Sequence, residues 1–169
     1  SAAFTYRNWW TLEGTARNDW SSTLPTGENS YFYPSVNTSV VLTDALPNLQ
    51  NSIVSSIKLR AAAARVGSDA PVYSLVPVFL GEAQRFGSQP QYRLDTRLAN
   101  ANLKPEITRS DEVGAEFALF DNRVTLGFRA YRKSPRNQTF DVEISGASGF
   151  ERKWVNAGEI SNKGIEALL

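Results

Sequence analysis

The stretch "EVGAEFALFDNRVTLGFRAY", Glu112 to Tyr131, alternates twice around four polar-to-aromatic residues. Its first half sets Val113, Ala115, Phe117 and Leu119 against Glu112, Gly114 and Glu116. Its second half sets Val124, Leu126, Phe128 and Ala130 against Thr125, Gly127, Arg129 and Tyr131. Successive side chains of a strand point to opposite faces, so each half has one oily and one polar side. Between them, Asp121 and Asn122 are residue types that tolerate the left-handed backbone of a tight hairpin turn. The unit reads as two antiparallel strands with a short connection. What lies against the oily side, protein or lipid, decides the rest.

The same period-2 pattern recurs along the chain. Ala3 to Arg17 carries Phe4, Tyr6, Trp10, Leu12 and Ala16 on one parity, with Asn8 as a polar exception, and Thr5, Arg7, Thr11, Glu13, Thr15 and Arg17 on the other. Phe32 to Leu42 and Ile57 to Ala64 repeat it, and a further strand starts near Ser161. Ala61 to Ala64 has helical composition, but its flanks alternate as a strand does. The connections are unequal. "FDNRV" is tight and "TDALPNLQNS" is moderate, whereas the links 17–31, 67–108 and 134–158 are long. Loops beyond about 15 residues are uncommon in compact soluble domains. Short turns at one end and long loops at the other are what an outer-membrane barrel has. The charged parity holds Arg7, Lys58, Arg60, Glu116 and Arg129, which are therefore expected to face the lumen of such a barrel. A soluble sandwich also separates its faces, so alternation leaves both solvents open.

Composition removes other classes. Lys and Arg number 18 against 17 Asp and Glu, a balance that argues against a nucleic-acid partner. There is no cysteine and no histidine, which removes disulfides, thiolate chemistry, the usual general base and the commonest metal ligand. No cofactor motif, phosphate loop or nucleophile elbow is present. Asp111 and Glu112 are adjacent on a strand and point apart, so they make no acid–base couple. No apolar run of about 18 residues exists, which says nothing about a barrel.

Several blocks, in order, carry a resemblance: Arg17 to Pro25 ("RNDWSSTLP"), Ser30 to Val36, Lys58 to Ala70, Ala101 to Glu106 ("ANLKPE"), Glu112-Val113-Gly114, Asn122-Arg123, and Val155 to Glu166 ("VNAGEISNKGIE"). Together they resemble the C-terminal half of TonB-dependent outer-membrane transporters of the SusC/RagA type. Ala101 stands where that family often has proline, and Ala61 to Ala64 is blander than usual. The resemblance implies an all-β fold, an antiparallel transmembrane β-barrel segment of about six strands within a larger barrel of about 22. Residues 1–169 would form part of the barrel domain, with the plug domain and the TonB-contacting region outside them. It implies residence in the outer membrane in contact with its lipid, a SusD-like lipoprotein partner, TonB, and import of a glycan or peptide without bond cleavage.

Within that frame, Trp20, Tyr31, Phe32 and Tyr33 gather near one membrane boundary, and Phe150 and Trp154 sit in another long loop. Trp20, Tyr31, Tyr33, Phe150 and Trp154 are the candidate solute-contacting residues. An interfacial aromatic girdle or loop packing is the competing, preferred reading of the same rings. Arg17 and Asp19 are expected to pair across their loop, and Lys104-Pro105-Glu106 to orient the chain as it re-enters the barrel. The rival functions are a soluble all-β carbohydrate-binding module and, with less support, a hydrolase.

Overall fold

The computed structural model describes all 169 residues. Strand β1 (Ala2–Tyr6) turns through Arg7 and Asn8, both at positive φ, into β2 (Trp10–Trp20). Then come β3 (Ser30–Val41), a single helical turn α1 (Leu42–Ala45), and β4 (Val54–Ser68). A long connection holds the hairpin of β5 (Phe79–Phe86) and β6 (Gln89–Leu94) and the short β7 (Arg97–Leu98). The chain continues through β8 (Glu106–Leu119), β9 (Val124–Glu143), β10 (Arg152–Glu159) and β11 (Asn162–Leu168).

Nine of these strands form one sheet in the order β1-β2-β3-β4-β8-β9-β10-β7, with β11 also on β9. The register of β10 on β9 (Arg152 opposite Glu143) runs unchanged into that of β11 (Leu168 opposite Gly127). The two are one pass, interrupted only at Ile160 and Ser161. The sheet is thus an antiparallel meander of seven passes, with β7 a short parallel addition above β10. The count stands next to the expectation of about six. The segment Ala3 to Arg17 is a hairpin, not one strand. Its three-residue turn places Tyr6 opposite Trp10 and Phe4 opposite Leu12, so the oily parity passes through unbroken. Arg7, expected on the lumen wall, therefore lies in the turn, with its guanidinium over the Tyr6 ring.

The long links are also shorter than the alternation implied. The connection between β2 and β3 is residues 21–29, and that between β9 and β10 is only 144–151. Most of 134–158 is strand, which puts Trp154 on β10 opposite Asp141 rather than in a loop. Phe150 does lie in the loop. The link 69–105 stays long. Turn and loop ends segregate as the barrel reading requires: 7–9, 42–53 and 120–123 at one end, and 21–29, 69–105 and 144–151 at the other. Phe120, Asp121 and Asn122 all take positive φ, so the hairpin turn is as tight as its residue types implied.

The decisive feature is where the oily parity points. Only eight residues are buried, and the hydrophobic core among them is Leu24, Ala70 and Leu103, all in loops. Val113 is 57% exposed, Phe128 47% and Ile165 84%. Phe4, Leu12, Val36 and Leu59 are exposed as well. A soluble domain of this length buries roughly two-thirds of its surface around one apolar core. Here the sheet has none; its oily face lies uncovered. The soluble-sandwich alternative fails on this point.

Introducing a charge at mid-height on that face should block insertion. In outer membranes, Leu59→Arg should cost about 2–4 kcal/mol of barrel stability. Ala62→Arg, opposite Glu112 on the other face, should be tolerated. Heat-modifiable gel mobility and denaturant midpoints in lipid vesicles read both variants; equal effects would contradict the assigned polarity.

Candidate functional site

On the polar face, cross-strand register gathers the charged residues into a lattice. Lys58 lies opposite Glu116, and Arg60 opposite Gly114, which in turn faces Arg129. Arg129 reaches both neighbours. Its Nη1 is 3.6 Å from Glu112 on β8, and its Nε donates to Glu166 on β11 at 3.1 Å, with a second contact to the same carboxylate. Two glycines make the room. A Cβ at Gly114 would meet Arg60 Nε at 2.8 Å, so the Arg60 side chain lies flat across that position. A Cβ at Gly164 would meet the Tyr131 hydroxyl at 2.5 Å. The "EVG" and "NKGIE" blocks are therefore two halves of one construction: acids to hold Arg129, and bare backbone to seat Arg60 and Tyr131. A groove of ≈ 550 Å³ runs beside it, lined by Arg60, Glu116, Arg129, Glu166 and Leu168.

The lattice matches the expectation that Lys58, Arg60, Glu116 and Arg129 share one face. Sequence reading did not reach Glu112 and Glu166 as the partners of Arg129, because the pairing depends on register across three strands.

At the loop end, β2 and β3 carry a second polar group. Arg17 is opposite Tyr33 and Asp19 opposite Tyr31. Arg17 Nε donates to Asp19 at 2.7 Å along the strand, not across the loop as expected. Tyr33 donates its hydroxyl to the other oxygen of Asp19, and Tyr31 donates to Asp69. Ser21 also donates to Asp69, at 2.9 Å. The Tyr31 and Tyr33 rings stack with centroids 5.9 Å apart. Tyr31 lies against the bare backbone of Gly67, where a Cβ would collide with its ring. Asp69, a hydrogen-bond acceptor for Tyr31, pushes the phenol pKa up to about 12. These groups sit where β2 and β3 run into the 21–29 loop.

This network frames a small loop core. Leu24, Ala70 and Leu103 are buried together, with Tyr31, Leu75 and Trp154 packed against them. One side chain fastens it to the wall. Asn156 accepts from the Lys104 N–H at 2.8 Å and donates to the Lys104 carbonyl at 2.9 Å and the Asn137 carbonyl at 2.8 Å. The expected role of Lys104-Pro105-Glu106 thus has a physical agent. Holding Lys104 at both its N–H and its carbonyl, one peptide unit on each side of its Cα, orients the chain as β8 begins.

Of the candidate contact residues, Tyr31 and Trp154 are brought together in that core, and Tyr33 joins the Asp19 network. Trp20, at the end of β2, is 72% exposed, and Phe150 is half-buried in the 144–151 loop. The five do not form one pocket. No group of three or more carboxylates is arranged to hold a metal ion.

Comparison with known proteins agrees with this geometry. Residues 2–169 match the family model described as TonB dependent receptor-like, beta-barrel. TonB-dependent receptor P26 of Formosa agariphila is 27% identical over 168 residues, covering 98% of this chain and 17% of the relative. TonB-dependent receptor P3 of the same organism is 29% identical over 161 residues, covering 90% of the chain and 15% of the relative. The chain thus spans about a sixth of these relatives. Among solved structures, the RagAB peptide importer in its closed-closed state superposes with a TM-score of 0.83 at 19% identity, over 98% of this chain and 18% of that one. The siderophore receptor PirA from Pseudomonas aeruginosa superposes with a TM-score of 0.64 at 19% identity, over 98% and 29%.

Removing the Asn156 clamp should loosen the long loop without unfolding the wall. Asn156→Ala forfeits the side chain's four hydrogen bonds, to Lys104 twice, to Asn137 and to Thr139, and should cost about 1–2 kcal/mol locally, seen as roughly tenfold faster limited proteolysis within residues 71–102. Asn156→Asp keeps the bond from the Lys104 N–H but sets a carboxylate against two carbonyls, so it should do no better.

The Tyr31–Asp69 tie has a defined pH range. Its folded pKa is raised, so its stabilisation is fully present below the ordinary value of 10.0 and is lost as pH rises through about 12. A difference titration of tyrosinate absorbance between wild type and Tyr31→Phe should place this phenol near the upper value. Asp69→Asn should return it towards the ordinary one.

Proposed function

Because the chain belongs to the TonB-dependent receptor β-barrel family, we propose that it is a stretch of the barrel wall of a nutrient-import receptor, with its loops at the extracellular mouth. The family lies in the outer membrane, and its members are receptors and transporters rather than enzymes. The observation that carries the reading is the uncovered oily face: the apolar parity is exposed, and the charges gather on the opposite parity.

In this reading residues 1–169 are part of the barrel domain, and the plug lies elsewhere in the receptor. The outer strands β1 and β11 leave one edge each without a partner over their lengths, and lipid cannot solvate such an edge. Neighbouring barrel strands complete them. Solute binds noncovalently at the mouth, and displacement of the plug, driven through TonB, opens the path.

The solute is a glycan or a peptide, and a SusD-like lipoprotein caps the mouth. The likeness in fold to the RagAB peptide importer favours a peptide. Lys58, Arg60, Glu116 and Arg129 line the lumen, where their lattice stiffens the wall and meets plug or solute. Phe150, in the 144–151 loop, is the contact residue for solute or lid, whereas Trp20, on the parity of Trp10 and Leu12, stands at the membrane boundary as a girdle residue. Tyr31, Tyr33 and Trp154 shape the ledge beneath Phe150.

The test is uptake by cells that carry the full receptor. Labelled oligopeptides and oligosaccharides should separate, with one class accumulating only when TonB is energised. Phe150→Ala should weaken binding of that class by about tenfold while surface level stays unchanged, and Trp20→Ala should leave binding at the wild-type level. Uptake of both classes that is indifferent to the receptor's deletion would refute the proposal.

A further inference from the structure

The outer face of the sheet is oily only up to a certain height. Above it, the same lipid-facing parity turns basic. Arg65 on β4 stands directly opposite Arg109 on β8, which neighbours Ser134 on β9. One row lower, Asp111 faces Arg132, and Arg132 faces Lys163 on β11. One row higher, Ile107 faces Arg136, which faces Glu159. Five cations meet two acids on this patch. Asp111 is 3.0 Å from Arg109, and Glu159 is 2.9 Å from Arg136. Arg65, Arg132 and Lys163 have no carboxylate partner in the structure.

Two like charges opposed across a strand pair destabilise a sheet unless something neutralises them. The lumen face shows the contrast: there Arg129 holds two carboxylates. On the outer face the missing anion must come from outside the chain. A groove of ≈ 420 Å³ lies among Arg65, Arg109, Arg132, Ser134 and Arg136, open to whatever surrounds the barrel.

Height identifies the surroundings. Ten residues of β8 separate Leu119, beside the tight turn, from Arg109. That is about 34 Å of strand, or roughly 25 Å of height at a tilt near 40°. The apolar band of an outer-membrane barrel is about 25 Å tall. The arginines therefore stand where acyl chains give way to headgroups, at the loop end of the wall. Guanidinium groups bind phosphate through paired charge-assisted hydrogen bonds.

We propose that Arg65, Arg109, Arg132 and Arg136, with Lys163, form a binding site for the phosphorylated headgroup of an outer-leaflet glycolipid. The site is on the outside of the wall, away from the solute path. The proposal rests on the reading of this chain as membrane wall.

The test uses the full-length receptor in detergent, probed by native mass spectrometry with bis-phosphorylated lipid A and with its dephosphorylated counterpart. Wild type should retain the phosphorylated lipid, and Arg65→Gln, Arg132→Gln, Lys163→Gln together should weaken retention by at least about tenfold. The dephosphorylated lipid should bind weakly and alike to both. Lys58→Gln, Arg60→Gln on the lumen side should leave lipid retention at the wild-type level. If the triple variant misfolds, the single variants Arg65→Gln and Arg132→Gln carry the comparison.

Retention that ignores the variants, or the phosphates, overturns the site. Full displacement of the lipid by excess inorganic phosphate also overturns it, in favour of a free-anion site. Heat-modifiable mobility of the wild type separates the two claims. Its absence removes the membrane-wall reading, whereas its presence with charge-blind lipid binding removes this proposal alone.

Discussion

Every other property of this chain depends on one constraint: a continuous antiparallel ladder must satisfy the backbone. In a soluble fold, side-chain burial and backbone pairing share the work of stability. Here the sheet has no apolar core of its own, and the buried hydrophobic core is three loop side chains. Pairing in lipid is close to obligatory, since an unpaired amide there costs several kcal/mol. The unchanged register from Arg152 through Leu168 shows how strictly the ladder is kept. It holds across Asn137 and Gly158, both at positive φ.

With pairing fixed, a side chain answers to the face it occupies and, where it crosses between strands, to its neighbours there. The glycines illustrate this. Gly114 and Gly164 do not sit at turns; they sit under Arg60 and Tyr131, where any Cβ would displace a long side chain. Glu112 and Glu166 flank the same place and hold Arg129 from both sides. Blocks that look like separate signatures along the chain are adjacent in space. The loop end follows the same logic: the backbone of Lys104, just before Pro105, is held by Asn156, 52 residues away.

Much of this was legible in the residues alone. Period-2 alternation gave the strand cores, and the Asp121-Asn122 pair gave the turn. Parity put Lys58, Arg60, Glu116 and Arg129 on one face. The failures have physical causes. The Arg7 turn was invisible because a three-residue connection keeps Tyr6 and Trp10 on the same parity, so the alternation does not stumble. The upper half of β9 and all of β10 were mistaken for loop. Above the belt both faces meet polar surroundings, and side chains stop reporting which way they point while the ladder goes on. Trp154 was misplaced for that reason. The partners of Arg129, and the basic patch around Arg65, required register between strands far apart in sequence, which no local pattern encodes.

The small core of Leu24, Ala70 and Leu103 draws its members from two different connections and rests on rings from β3 and β10. Segments locked together in this way cannot diverge one at a time. A new mouth shape arises only when the interlocked pieces are exchanged jointly. Diversification among such receptors should accordingly proceed by transplanting whole loop assemblies, with isolated point changes confined to the rim outside the interlock.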